Sequence, residues 1–156
     1  MLQFGKKCIK DTHLKAMLLG VFLLLTSCGG NMPDNLGVTD NQLTPCPTSP
    51  NCVSSRAGDH KDHAIAPLTY SEPFAEARQR LLDTIRSMKR TTIITADERY
   101  IHAELRSRLF RFVDDVEFYF DDQASIIHVR SASRVGHSDL GVNRKRIEDI
   151  RNRYTP

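Results

Sequence analysis

Tyr100-Ile101-His102-Ala103-Glu104-Leu105-Arg106 and Val116-Glu117-Phe118-Tyr119-Phe120 are the stretches that decide the fold. Both alternate. Ile101, Ala103 and Leu105 fall on one side of an extended chain, with His102, Glu104 and Arg106 on the other. Val116, Phe118 and Phe120 oppose Glu117 and Tyr119 in the same way. A period of two belongs to a strand, whose successive side chains point to opposite faces. The pattern extends outward. Thr91 to Ala96 is rich in β-branched residues and reads as a strand, closed by a turn at Asp97-Glu98-Arg99. Tyr100 to Phe112 reads as one long strand, with Leu109 on the apolar side and Arg108 on the polar side. Asp114-Asp115 reads as the next turn, and Asp121 to Ala124 as the one after. Ser125 to Val135 then returns with Ile127 and Val129 inward. The expectation is a four-stranded antiparallel meander with one apolar and one polar face.

An apolar sheet face needs a cover. Phe74, Ala77, Leu81, Ile85 and Met88 recur at spacings of three and four and predict an amphipathic helix ending near Arg90. Ser71 is its expected cap, Pro73 suits its first turn, and Glu76 and Arg80 form an i,i+4 pair on the wet side. A second helix is expected from Ser138 to Tyr154, with Asn143, Ile147, Ile150 and Tyr154 on one side. The predicted class is therefore α+β: an amphipathic helix, the meander and a C-terminal helix, with both helices packed on one face of the sheet.

Upstream of the first helix lies Pro45-Cys46-Pro47-Thr48-Ser49-Pro50-Asn51-Cys52. Its prolines forbid a helix. Cys46 and Cys52 are an even pair in an exported chain, and a disulfide between them is the preferred reading. The alternative joins both cysteines to a metal with His60 and His63, but five residues between the cysteines exceed the usual zinc spacing. Before them, residues 28–44 are polar and glycine-containing and read as a flexible tether.

The N-terminus has a basic segment, Lys6, Lys7, Lys10 and Lys15, then an apolar run of ten residues, Ala16 to Leu25. A membrane-spanning helix needs about 20. The layout is that of a secretory signal. Leu25-Thr26-Ser27-Cys28 resembles the lipobox of bacterial lipoproteins. The resemblance implies acyl chains, palmitate among them, on Cys28, and a protein lipid-anchored in the bacterial envelope, facing the periplasm. Gly29 stands where an Asp would favour the inner membrane, which implies the outer one. The expected division is a signal peptide over 1–27, the tether over 28–44 and a single α+β domain over 45–156.

Charge narrows the partners. The chain has 22 Lys+Arg and 19 Asp+Glu; taking away the four Lys and one Asp of residues 1–27 leaves 18 of each. A neutral mature chain lacks the positive field of a nucleic-acid binder. The expected partners are the membrane, through lipid on Cys28, and an unknown envelope protein or anionic ligand; no nucleic acid, cofactor or metal is expected.

Three ordered blocks carry a family resemblance. They are Cys46-Pro47-Thr48-Ser49-Pro50-Asn51-Cys52-Val53-Ser54-Ser55, the block from Arg108 to Phe118, and the block from Arg130 to Ile147. Over about residues 45–154 they resemble domain of unknown function 1499. The resemblance implies exported bacterial proteins, with relatives in plastids. It carries no activity and no catalytic residue.

The polar face is the candidate site. Pairing Phe120 with Ser125 would set Glu117 opposite His128 and Asp115 opposite Arg130, with Arg106, Arg108, Tyr119 and Arg134 on the same side. Such a cluster suits an anionic ligand, and a Glu117–His128 pair suits acid–base work. Paired charges on solvated strands explain the same residues. Asp139 and Arg144 complete the candidates, in a corner where Asp139 would bond Arg134 or Arg144. No catalytic motif spacing is present. The expected function is a non-enzymatic binding or interaction domain held in the envelope by lipid. The alternative is an envelope enzyme or a binder of a small anion on the polar face.

Overall fold

The computed structural model describes residues 29–58 and 60–155. The expected signal peptide and Cys28 lie outside them. No helix among the described residues is long and apolar enough to cross a membrane.

The strands are β1 (Val38–Thr39), β2 (Gln42–Leu43), β3 (Cys52–Ser54), β4 (Leu68–Thr69), β5 (Thr91–Ala96), β6 (Tyr100–Arg106), β7 (Val113–Asp121) and β8 (Ile126–Ser133). The helices are α1 (Phe74–Ser87) and α2 (Val142–Tyr154). The main sheet runs β3-β8-β7-β6-β5, and β4 also pairs with β8. β1 and β2 form a separate two-stranded hairpin. This corrects the expected four-stranded meander: the main sheet has six strands, all paired antiparallel. β3 and β4 are three and two residues long. Strands so short show no alternation, yet they cover the edge of β8, whose backbone groups need partners.

The turns also move. Asp114 and Asp115 lie inside β7, both buried, and the reversal occurs at residues 107–112, closed by the Ser107 N–H on the Phe112 carbonyl at 2.9 Å. Carboxylates fit a strand interior here because arginines meet them: Arg146 reaches Asp114 from α2, and Arg134 reaches Asp115 from the end of β8. The β7–β8 loop is Asp122 to Ser125, with Ser125 at φ 52°. Phe120 therefore pairs with Ile127, two residues from the expected register. A shift of two keeps every side chain on its face and changes who stands opposite whom.

One face carries Ile101, Ala103, Val116, Phe118, Phe120, Ile127 and Val129, all fully buried. Both helices pack on it, α1 through Ala77, Leu81, Leu82 and Ile85, and α2 through Ile147, Ile150 and Tyr154. α1 begins after Pro73 without a side-chain cap, so Ser71 does not serve as one. Arg80 turns back to Glu72 instead of Glu76 and lies 4.2 Å over the Tyr154 ring.

The other face is also covered. Residues 29–47, most of them expected in the tether, cross it as a strap. The Gly37 N–H donates to Glu117 Oε1 (2.8 Å), the Tyr119 hydroxyl donates to Asn41 Oδ1 (2.9 Å), and Leu43 is buried. A polar strap suits a polar face, and that is why its composition resembles a linker. Cys46 and Cys52 stand at disulfide distance, Sγ–Sγ 2.04 Å. The bridge fixes the end of the strap to β3.

Candidate functional site under the strap

The strap-side face of the sheet carries Tyr100, His102 and Glu104 from β6, Asp115, Glu117 and Tyr119 from β7, and His128 and Arg130 from β8, with Arg134 just beyond its end. Alternation puts them on one face, and the observed register sets their partners. Glu117 stands opposite Arg130, which donates Nη1 to Glu117 Oε2 at 2.7 Å. The Tyr100 hydroxyl donates to Glu117 Oε1 at 2.9 Å. Arg134 forks onto Asp115, Nε to Oδ2 at 2.8 Å and Nη2 to Oδ1 at 2.7 Å, and reaches Glu104 Oε1 at 2.5 Å. His102 Nε2 lies 2.8 Å from Asp115 Oδ1. Glu117 has no exposed surface and Asp115 has 1%. These groups are not a solvated face.

The electrostatics follow from that burial. Burial pushes the Asp115 carboxyl up, but the hydrogen bonds and charges of Arg134 and His102 outweigh it and hold the carboxyl below its ordinary range. The bond to Asp115 raises Arg134. Burial, and then the Glu117 charge, raise Tyr100.

A cavity of about 260 Å³ lies between the strap and this network. Pro33, Asn35 and Pro47 line its strap side, and Asp115, Arg130 and Arg134 its floor. Arg130 is 5% exposed, and its Nε has no hydrogen-bond acceptor among the described residues. A buried guanidinium N–H without an acceptor is costly.

The expected Glu117–His128 pair does not form. His128 lies one ladder step away, opposite Tyr119, with the two rings stacked. Its Nε2 is 2.9 Å from Arg56 Nη2 and its Nδ1 is 3.2 Å from Ser55 Oγ. Burial lowers His128, and the Arg56 charge adds to it. An arginine N–H needs an acceptor, so Nε2 carries the lone pair and Nδ1 the proton. That tautomer offers Ser55 no base, and Ser55 Oγ already accepts from the Val129 N–H (2.9 Å).

The remaining candidates separate. Arg106 is half-buried at the rim and bonds Glu104 (2.8 Å). Arg108 is exposed in the 107–112 loop. Arg144 donates to the Ala64 and Asp62 carbonyls, 2.7 and 2.9 Å. Asp139 bonds neither Arg134 nor Arg144. It accepts from the Gly141 N–H (3.0 Å) and from the N–H of Asn143 in the first turn of α2 (2.7 Å). Asn143, with no exposed surface, accepts from Ser131 Oγ (2.6 Å) and donates to the Asn51 carbonyl (2.8 Å). The corner is held by backbone N–H bonds to Asp139 and by the Asn143 amide, without the arginine pairs expected of it.

Sequence reasoning set Asp115 opposite Arg130, where the structure pairs it with Arg134, and missed Glu104 as an arginine partner and Arg56, Gly37 and Asn41 entirely. Asp115 and Glu104 were already on the polar side of the alternation; moving one turn finds them. The other three have no periodic signal, since they come from irregular chain laid over the sheet.

His63 donates through Nδ1 to the Cys52 carbonyl at 2.8 Å. No cluster of three or more His, Cys, Asp or Glu able to hold a metal occurs among the described residues.

Comparison with known proteins yields one family. The family model described as Protein of unknown function (DUF1499) matches residues 42–153. No curated protein matches the chain.

Proposed function

The chain belongs to the DUF1499 family, whose function is unknown, and from that premise we propose that it is a lipid-anchored envelope protein whose domain binds a small anion without transforming it. One observation carries the binding: Arg130 lines the floor of the cavity under the strap, and its buried Nε has no acceptor among the described residues. Ligand pockets for drug-sized molecules run from about 300 to 1,000 Å³. A cavity of about 260 Å³ suits a smaller guest, of the size of a short carboxylate. Such a guest would give Arg130 its missing acceptor and would close the strap over itself. The His128 tautomer, with its lone pair turned to Arg56, supports binding over acid–base catalysis. The anchor is inferred from the basic segment, the short apolar run and Leu25-Thr26-Ser27-Cys28.

The test is calorimetric titration of residues 29–156 with acetate, succinate and inorganic phosphate, against chloride. Saturable binding of one of them is expected. Arg130→Lys keeps a cation opposite Glu117 but lacks the Nε donor, and should lose that binding. No saturation by any anion, or equal binding by Arg130→Lys, rejects the reading. Cys28→Ala tests the anchor separately: the full-length protein should leave the salt-washed membrane fraction.

A further inference from the structure

Six of the eight large apolar side chains that the described residues expose lie in the 107–112 loop and the Val135–Val142 segment. They are Leu109 (79% exposed), Phe110 (63%), Phe112 (41%), Val135, Leu140 and Val142. Topology brings the two segments together. The loop joins β6 to β7, and Arg134 donates its N–H to the Val113 carbonyl (3.1 Å), so both segments leave the same end of the sheet. Phe110 and Phe112 stack with ring centroids 5.6 Å apart, which holds a greasy tip in the open.

The same end is basic. Arg106 donates its N–H to the Arg90 carbonyl at 3.0 Å, which brings the α1–β5 turn alongside. A groove of about 950 Å³ there is lined by Lys89, Arg90, Arg108 and Lys145 among others. Together with Arg111 in the loop, none of these five has a carboxylate within salt-bridge distance among the described residues. Other arginines of this end are already paired, Arg106 with Glu104, Arg146 with Asp114 and Arg153 with Asp149.

We propose that this end of the sheet docks on an anionic phospholipid bilayer, with Leu109, Phe110 and Phe112 in the headgroup layer and Lys89, Arg90, Arg108, Arg111 and Lys145 over lipid phosphates. Exposed aromatics flanked by unpaired cations fit that interface, where apolar burial and attraction to anionic lipid add together. The described chain also begins there. A Cβ on Gly29 would lie 3.3 Å from Val113 Cγ2, and one on Gly30 would lie 3.0 Å from Val135 Cγ1. Consecutive Cα atoms are about 3.8 Å apart, so a lipid on Cys28 would tether this end and not the opposite one. The docking surface is separate from the cavity and needs no lipid on Cys28.

Among the described residues the main core cluster lies between Val53 and Tyr154, and Leu43 and Cys52 are the buried apolar residues before it, so residues 29–156 carry that core and serve for the test without the anchor. They are sedimented with vesicles of phosphatidylcholine, with and without phosphatidylglycerol. Binding to the mixed vesicles alone is expected. Each basic residue near an anionic surface contributes about fivefold in affinity. Arg108→Glu with Arg111→Glu should therefore lower partitioning by more than about tenfold. Leu109→Ser, Phe110→Ser and Phe112→Ser together should lower it comparably. These five side-chain changes are all on exposed positions, and an unchanged urea midpoint confirms folding. Raising salt from about 0.1 to 1 M, which shortens screening from about 10 to 3 Å, should release the protein. No preference for phosphatidylglycerol, or partitioning unchanged by either set of substitutions, overturns the proposal. So does a concentration-dependent dimer that the serine substitutions abolish, since the occupant would then be a second copy.

Discussion

Glu117 and Phe118 are neighbours in β7, neither has exposed surface, and they point to opposite faces. Phe118 enters a core closed by α1 and α2. Glu117 enters a network closed by the strap, with Arg130, Tyr100 and the Gly37 N–H as partners. The faces are equally dry and held by different chemistry. The apolar face gains by removing hydrocarbon from water and tolerates small shifts of shape. The polar face repays a large desolvation cost only while every partner stays in place. It is therefore the brittle face, and the one on which a missing acceptor can call for a ligand.

The largest effect expected is at Glu117. Glu117→Ala strands Arg130 and should cost about 3–5 kcal/mol, close to the 3–5 kcal/mol of Phe118→Ala. Urea unfolding of residues 29–156 at unchanged slope measures both. A second change separates the two faces. Replacing the pair together, Glu117→Leu with Arg130→Met, removes the stranded charge and should recover about 2 kcal/mol or more. No second substitution should restore Phe118→Ala in this way. If the double variant is no better than Glu117→Ala, the contrast between the faces fails.

The apolar face was legible because oil repeats. Ile101, Ala103, Val116, Phe118 and Phe120 alternate, and Ala77, Leu81 and Ile85 recur at helical spacing. The polar residues alternate too, but alternation cannot tell a wet face from a face covered by something else. His102, Glu104 and Glu117 read as solvated for that reason. What covers them, residues 29–47, has no period, because it makes single bonds from irregular chain. β3 and β4 escaped notice for the same cause: strands of three and two residues are defined by the edge they complete. The two-residue register change came from the turns. Asp114-Asp115 has the composition of a turn, and only the distant Arg134 and Arg146 reveal that it lies in a strand.

The strap supplies the next effect in size. Leu43 is its buried apolar residue, 3% exposed, and β2 places it against β7 and β8. Leu43→Ala should cost about 2–3 kcal/mol if the strap is integral to the polar face. A loosely laid linker would lose no more than about 0.5 kcal/mol. The same urea experiment decides, and hydrogen exchange at the Gly37 N–H should accelerate in the variant. An unchanged midpoint would return residues 29–44 to the status of a tether and leave the network open to water.

The smallest effect expected is a pH dependence at His128, at the far end of the polar face. Its ring is buried against Tyr119, takes a hydrogen bond from Arg56, and has Asp121 at 4.0 Å. Burial and Arg56 lower its pKa from 6.5, while Asp121 opposes them more weakly. The unfolded chain therefore binds a proton at a pH where the folded chain does not. Stability from this residue is complete above about pH 6.5 and declines as pH falls from there to the lower folded value, where it levels off. Asp115 acts in the same direction but further into acid, since its carboxyl is held below 3.8 and its contribution is lost only as pH falls through that lower range. The two windows are separable by NMR titration of the His128 ring in residues 29–156. A midpoint below 6.5 is expected, rising toward 6.5 in Arg56→Gln because the nearby cation is gone. His128→Asn should flatten the stability profile near pH 6 and leave the acid limb of Asp115 in place. A His128 midpoint at or above 6.5 would mean that Asp121 outweighs burial and Arg56 together, and that this end of the polar face is wetter than the Glu117 end.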